Sequence, residues 1–287
     1  MIYLIISICI LSLLFVIFKL FEVFKVNTLQ AIIVNYLVAG TLGVYVSDVS
    51  LKFQEIPEQP WFLGALFLGI LFITVFNVMA ITSQKNGLSV AAVAGKMSVV
   101  IPIVFGIIVY NESVGIVKIF GILLALVAVY LTSSKSDNQP LKTKNLIYPL
   151  LLFLGSGCID TSLKYVETTY VPEGGVPIFS ATIFFIAFFL GLAFLIFQII
   201  KGNFKFHIRN LIGGVLLGIP NYYSIHFLLK ALSTEGLESS TLFTLNNVGV
   251  VVLSTLFGLI LFKEKLIKKN WIGIAIAVIS IVLVALF

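Results

Sequence analysis

Apolar residues in this chain are collected into long runs separated by short polar segments. A bilayer core about 30 Å thick is crossed by roughly 20 helical residues, and about 17 still suffice. Ten such runs fill nearly all of the 287 residues: Ile2–Phe18, Leu29–Val46, Trp61–Ile81, Leu88–Tyr110, Val114–Leu131, Leu146–Leu163, Val176–Ile200, Leu211–Leu232, Leu237–Phe262 and Trp271–Phe287. The pattern predicts an all-α integral membrane protein with ten transmembrane helices.

The second five runs repeat the first five, at an offset that drifts as small loop insertions require. The matches are Lys19 and Glu22 with Lys164 and Glu167 at 145 residues, Gly64, Gly69, Ile70 and Gly87 with Gly213, Gly218, Ile219 and Gly236 at 149, and Glu112, Gly121 and Ala125 with Glu264, Gly273 and Ala277 at 152. We therefore predict a first repeat over residues 1–133, a polar linker over 134–144 and a second repeat over 145–287.

Each repeat holds an odd number of runs, so the second repeat enters the membrane in the opposite orientation. Inverted repeats of this kind are typical of secondary transporters, whose binding site lies near the bilayer midplane. The alternative is a duplicated helical scaffold without a transport role.

Basic residues are concentrated in the odd-numbered loops, which hold 13 of the 18 Lys and Arg. The positive-inside rule then places the odd loops in the cytoplasm and both termini outside. The net charge of +6 reflects this topology, and we expect no nucleic-acid partner. With 60% hydrophobic and 10% charged residues, the chain lies outside the soluble class. The use of 17 Lys against one Arg is typical of an AT-rich genome and favours a bacterial inner membrane, which is a plasma membrane.

A Glu follows the fourth run of each repeat, and a Gly lies nine residues later in the fifth. These are Glu112 with Gly121 in NESVGIVKIFGILLA and Glu264 with Gly273 in KEKLIKKNWIGIAIA. With Pro102 in the fourth run, this motif resembles the ten-helix EamA-like branch of the drug/metabolite transporter superfamily. The resemblance covers essentially the whole chain and implies a small-molecule transporter.

The motif residues also have a physical interpretation. Gly121 and Gly273, each followed four residues later by Ala, form small faces that let helices approach closely. We expect Glu112 and Glu264 to begin the fifth and tenth helices and to accept hydrogen bonds from their free N–H groups.

Lys96 is the most unusual polar residue in an apolar run, since a charge at mid-bilayer is expensive unless it has a partner or faces a cavity. It is nine residues into the fourth run. One interpretation is that it neutralises an anionic or zwitterionic substrate. The alternatives are a pairing with a carboxylate on another helix and an extension of its side chain toward water.

Other candidate substrate-binding residues lie in the third, eighth and ninth runs. Tyr222, His226 and Lys230 follow one helical stripe, and His226 matches Asn77 by repeat offset. Polar residues of the ninth run suit either a binding site or hydrogen bonds between helices. The full predicted set is Lys96, Asn77, Tyr222, Tyr223, His226, Thr244, Asn246 and Asn247.

Asp160 is a candidate for proton coupling, although an ion pair with Lys164 one turn away is the simpler explanation. Two histidines and two cysteines predict no metal site, and we expect no catalytic residue and no cofactor. We therefore predict a gradient-driven secondary transporter of a small metabolite that works by alternating access, as a monomer or a homodimer. The alternatives are a membrane-embedded enzyme and a lipid-translocating or channel-like protein.

Overall fold

The computed structural model of this chain describes residues 1–46, 53–110, 115–134, 143–172, 174–202, 205, 207–232 and 239–286. Within these ranges the regular structure is helical, with no strand. The α-helices are α1 (Ile2–Val23), α2 (Thr28–Val46), α3 (Phe62–Lys85), α4 (Leu88–Met97), α5 (Val100–Tyr110), α6 (Ile116–Thr132), α7 (Thr143–Tyr170), α8 (Val176–Ile200), α9 (Ile208–Leu232), α10 (Ser239–Phe262) and α11 (Lys268–Leu286), and a short 3-10 helix covers Phe53–Glu58.

Eight stretches of the described residues are helical, long and apolar enough to cross a bilayer. They correspond to the predicted first, second, third, fourth, sixth, seventh, eighth and ninth runs. Many large apolar side chains on these helices are exposed, as expected where helices face lipid and not water. The all-helical prediction is confirmed for the part of the chain that the structure describes.

The fourth run is broken, which corrects the prediction of one continuous helix. Its first half is α4 and its second half is α5, and the helix is interrupted at Ser98 and Val99. Pro102 has no N–H group and cannot donate to the carbonyl of Ser98. The Ser98 carbonyl instead accepts a hydrogen bond from the Ile101 N–H at 2.9 Å, and the Ser98 hydroxyl donates to the Gly95 carbonyl at 2.6 Å. Proline chemistry and a serine side chain therefore explain where the helix breaks.

The chain forms two compact units, and each takes segments from both sequence halves. The first unit contains Met1–Leu20, Val78–Cys158 and Tyr223–Phe287, and the second contains Phe21–Asn77 and Ile159–Tyr222. These units do not follow the boundaries of the predicted repeats. A sequence repeat is therefore not a compact unit by itself.

In the second unit, α2 packs against α8 in the antiparallel direction. A Cβ atom at Gly43 would lie 3.1 Å from the Cβ of Ala181, and one at Gly40 would lie 3.2 Å from the Phe185 ring. Tyr36 is fully buried, and its ring stacks on Phe184 at 6.0 Å between centroids. The small residues of α2 thus let it lie close to the aromatic face of α8.

Also in the second unit, α9 runs parallel to α2 and lies closer still. Cβ atoms at Gly214 and Gly218 would collide with the α2 backbone or with its valines. Buried amides join the same two helices, since Asn210 donates to Gln30 at 2.6 Å and Asn221 donates to Asn35 at 3.1 Å. Glycines permit the approach, and amides that are kept from water fix the register.

In the first unit, α6 and α11 pack together in the antiparallel direction. Ser280 donates to the carbonyl of Gly121 at 2.8 Å. The side-chain amide of Asn270, at the start of α11, lies 2.8 Å from the Thr132 carbonyl at the end of α6. A Cβ atom at Gly273 would lie 2.8 Å from the backbone nitrogen of Thr132. The close approach predicted for Gly273 is confirmed.

We predict that Gly273→Ala destabilises the protein, although alanine is the better helix former. The added methyl group has no room beside the Thr132 backbone, and overpacking costs about 1–3 kcal/mol. Thermal unfolding in detergent measures the change. The matched control is Gly115→Ala, because a Cβ atom there meets nothing within 4 Å. Equal stability of the two variants would contradict the close-contact argument.

Candidate functional site

Lys96 lies in the last turn of α4 and is half-buried. Carbonyl groups at the end of a helix carry partial negative charge, which favours a cation at this position. The break at Ser98 and Val99 follows immediately, and there the Ser98 carbonyl accepts a hydrogen bond from the Ile101 N–H at 2.9 Å. Broken helices of this kind form substrate sites in secondary transporters. The structure therefore puts the predicted cation directly before the break in the fourth span.

The opposite end of α4 is held by a carboxylate from the loop before α11. Glu264 accepts a hydrogen bond from the Leu88 N–H at 2.7 Å, and its second oxygen lies 3.4 Å from the Ser89 hydroxyl. This corrects the prediction that Glu264 binds the N–H groups of its own following helix. Its carboxylate does satisfy the start of a helix, but that helix is α4. Glu112 lies outside the described residues.

Asn246 on α10 is almost fully buried and lies against α1. The Ser7 hydroxyl is 3.4 Å from the Asn246 side-chain oxygen and 3.1 Å from the carbonyl oxygen of Ser224 on α9. Three helices of the first unit thus meet at one serine. Asn247 is half-buried beside this contact, and the side chain of Thr244 lies outside the described residues.

Ser7 is a residue that sequence reasoning missed. The first run is so apolar that no repeat match or charged residue draws attention to it. The sequence shows only a serine in an apolar run, a feature that Ser7 shares with Ser12, and the structure adds that Ser7 is fully buried. A hydroxyl group in a membrane helix is stabilised by a partner, and the Ser7 hydroxyl has the Ser224 carbonyl at 3.1 Å and the predicted residue Asn246 at 3.4 Å.

Aromatic rings surround the predicted histidine at the end of α9. The ring centroids of Tyr223 and His226 are 5.9 Å apart, and those of His226 and Phe227 are 5.6 Å apart. Phe227 stacks on Tyr3 of α1 at 6.2 Å. The Lys230 ammonium lies 5.8 Å from the centre of the Tyr3 ring. Tyr223 and His226 therefore belong to an aromatic cluster that reaches α1.

The remaining predicted residues lie in the second unit. Asn77 donates its side-chain N–H to the Ile73 carbonyl of its own helix at 2.8 Å. Tyr222 is half-buried and Asp160 is exposed. The grouping of these three residues with Lys96, and the pairing of Asn77 with His226, stay predictions.

The first unit therefore offers a cation, buried amides and aromatic faces. Such groups bind and orient a small polar molecule. Among the described residues, no group of three His, Cys, Asp or Glu side chains is placed to hold a metal ion.

Comparison with known proteins relates the first half of this chain to a transporter family. The model of the EamA-like transporter family matches residues 1–134. Over these residues the chain is similar to the EamA-like transporter family. The resemblance predicted from the Glu and Gly motif is thereby confirmed, and the family match with the apolar helices indicates a multi-pass membrane transporter of small molecules.

Two further comparisons cover most of the chain. An uncharacterized protein of Haemophilus influenzae (strain ATCC 51907 / DSM 11121 / KW20 / Rd) is 28% identical over 261 residues, which are 88% of this chain and 86% of that protein. A crystal structure of a protein with 15% identity aligns over 99% of this chain and 96% of its own, with a TM-score of 0.61. This second likeness concerns the fold alone.

We predict that Ser7→Ala lowers thermal stability by about 1 kcal/mol, because it removes a hydrogen-bond partner of buried groups. Ser12→Ala is the matched control on the same helix. Ser12 is also fully buried, but its hydroxyl has no hydrogen-bond partner among the described residues. Its removal is expected to be neutral or stabilising. Identical effects of the two substitutions would show that the Ser7 contact contributes nothing.

Proposed function

We propose that this protein is a secondary transporter that moves a small anionic or zwitterionic metabolite by alternating access. The observation that supports this most directly is the broken fourth span, with Lys96 in the last turn before the break. In this position the Lys96 ammonium would supply the positive charge that recognises an anionic group of the substrate. The family match over residues 1–134 supports a transporter and not an enzyme.

Two contacts between matched helices support inverted repeats. Helix α2 and its repeat counterpart α8 run antiparallel, as do α6 and its counterpart α11. Counterpart helices that point in opposite directions are what two oppositely inserted repeats require. Matched glycines also have equivalent partners: Gly69 of α3 packs on α8, and Gly218 of α9 packs on α2.

The substrate class follows from the groups that the first unit provides. Lys96 would neutralise a carboxylate or phosphate, and the amides of Asn246 and Asn247 would accept and donate hydrogen bonds. His226 and Tyr223 provide ring faces and polar edges. Asp160 is the proposed proton-coupling carboxylate. Since the sequence contains no phosphate-binding G-x-x-x-x-G-K-[ST] loop, we assign the energy source to an ion gradient.

We predict that Lys96→Met folds normally and lowers transport of an anionic substrate about tenfold or more. The substitution keeps an apolar stem and removes a charged hydrogen bond, which contributes roughly 1.5–3 kcal/mol. Lys96→Arg should restore transport only in part, because a planar guanidinium does not replace a compact ammonium. The assay is retention of labelled carboxylates and amino acids by proteoliposomes, with and without a pH gradient.

Lys268→Met is the matched control for Lys96→Met, because Lys268 is an exposed lysine at the start of α11 in the same unit. Its loss should leave transport nearly unchanged. Wild-type transport by Lys96→Met would exclude Lys96 from the site and direct the search to Tyr222 and His226.

We also propose that the membrane is a bacterial plasma membrane and that both termini lie outside. Reporter fusions after Lys144 should show a cytoplasmic location, because basic residues are concentrated in the odd loops. Fusions after Phe287 should show an external location. A cytoplasmic C-terminal fusion would reverse the proposed orientation and leave the repeat relation intact.

A further inference from the structure

The contact at the start of α4 is shaped for a carboxylate. Gly87 precedes α4 with φ +108°, and Gly258 of α10 lies on the other side. A Cβ atom at Gly87 would be 2.9 Å from one oxygen of Glu264, and a Cβ atom at Gly258 would be 2.5 Å from the other. The absence of two side chains thus makes the space that the Glu264 carboxylate fills.

The position of Glu264 is itself set by a tight turn after α10. Its backbone N–H donates to the Gly258 carbonyl at 3.0 Å. Lys263, just before it, has φ +51°, an unusual conformation for a residue other than glycine. The turn therefore returns the chain onto α10 and directs the carboxylate to α4. Since Gly87 has no side chain to cap α4, Glu264 takes that role.

Helix α4 is short, and its two ends have different surroundings. It spans ten residues, and Lys96 lies about 12 Å along the axis from Leu88 at 1.5 Å per residue. Helix α4 packs against α10 and α6 and ends at Met97, one residue after Lys96. Because Leu88 and Lys96 belong to one regular helix, a shift of the first turn along the axis also moves Lys96.

We propose that Glu264 is the positioning residue for Lys96: its carboxylate holds the first turn of α4 and thereby sets where the lysine stands in the substrate site. This inference rests on the proposed transport function of Lys96. Glu264 acts through α4 and has no contact with the substrate. Release of this contact would free the segment that carries the cation.

The first test is a double-mutant cycle on thermal stability. Gly258→Ala should lower the melting temperature of the wild-type protein by about 3–6 °C, because the methyl group displaces a charged hydrogen bond. In a Glu264→Ala background the same change should be neutral or stabilising, since the carboxylate is gone. Gly95→Ala on α4 is the control, because a Cβ atom there meets nothing within 4 Å. If Gly258→Ala lowers the melting temperature equally in both backgrounds, the Glu264 carboxylate does not occupy the space beside Gly258, and the proposal is overturned.

The second test measures the position of residue 96 without a substrate. Cys9 and Cys158 are replaced by serine, Lys96→Cys is introduced, and its reaction with a charged methanethiosulfonate reagent is timed. Glu264→Ala should change this rate about threefold or more, because exposure governs thiol reactivity. Sodium formate, which supplies a free carboxylate, should return the rate toward its original value, whereas sodium chloride at equal ionic strength should not. Glu264→Gln, which keeps an acceptor for the Leu88 N–H, should change the rate less than Glu264→Ala.

Gly115→Cys, at an exposed position, is the control. Its labelling rate should be changed neither by Glu264→Ala nor by formate. If Glu264→Ala does not fold, Gly258→Ala carries the labelling experiment, because it displaces the carboxylate without removing it. An unchanged rate at position 96, or a change that formate does not reverse, overturns the positioning role. Neither test uses a substrate, so their failure is distinct from a failure of the Lys96→Met transport assay.

Discussion

Every backbone polar group in a membrane helix must find its partner within the protein, and this constraint governs the first unit. Helix ends leave N–H and C=O groups unpaired, and the hydrocarbon offers no water to satisfy them. Glu264 meets this need at the start of α4, and Asn270 meets it at the end of α6. The Glu264 side chain belongs to the loop before α11, and the Asn270 side chain belongs to the first turn of α11. The same contacts that satisfy the helix ends therefore also join α4 and α6 to α10 and α11.

The second consequence of the membrane is that helices associate through shape and hydrogen bonds, because lipid tails are as apolar as leucine. In the second unit this produces the contact of Gly214 and Gly218 with α2, flanked by the Asn210 and Asn221 amides. In the first unit it produces the contact of Gly273 with α6. Glycine at these positions is required by the approach of a neighbouring backbone, and its low helix propensity is the accepted cost.

Hydropathy predicts most of the fold because a membrane span is a property of composition over about 20 residues. The interruption at Ser98 is not visible in hydropathy, since the two flanking segments are equally apolar. Pro102 was noted only as a family feature, although its missing N–H group gives the position of the break. The partners of Glu264 and Ser7 lie 176 and 239 residues away in sequence. Hydropathy and repeat offsets carry no information on such pairings, so the helix that Glu264 caps was predicted wrongly.

The exchange of segments between the two sequence halves changes how the repeats relate to function. Each compact unit contains helices from both repeats, so a residue and its repeat counterpart can belong to one unit and still make different contacts. Lys96 illustrates this, because the residue that matches it at an offset of 152 is Val248, next to Asn247. One repeat thus supplies a cation on α4, and the other supplies amides on α10, which packs against α4. A duplicated sequence can therefore carry different polar groups at matched positions, and the proposed recognition of a polar substrate with distinct ends depends on this difference.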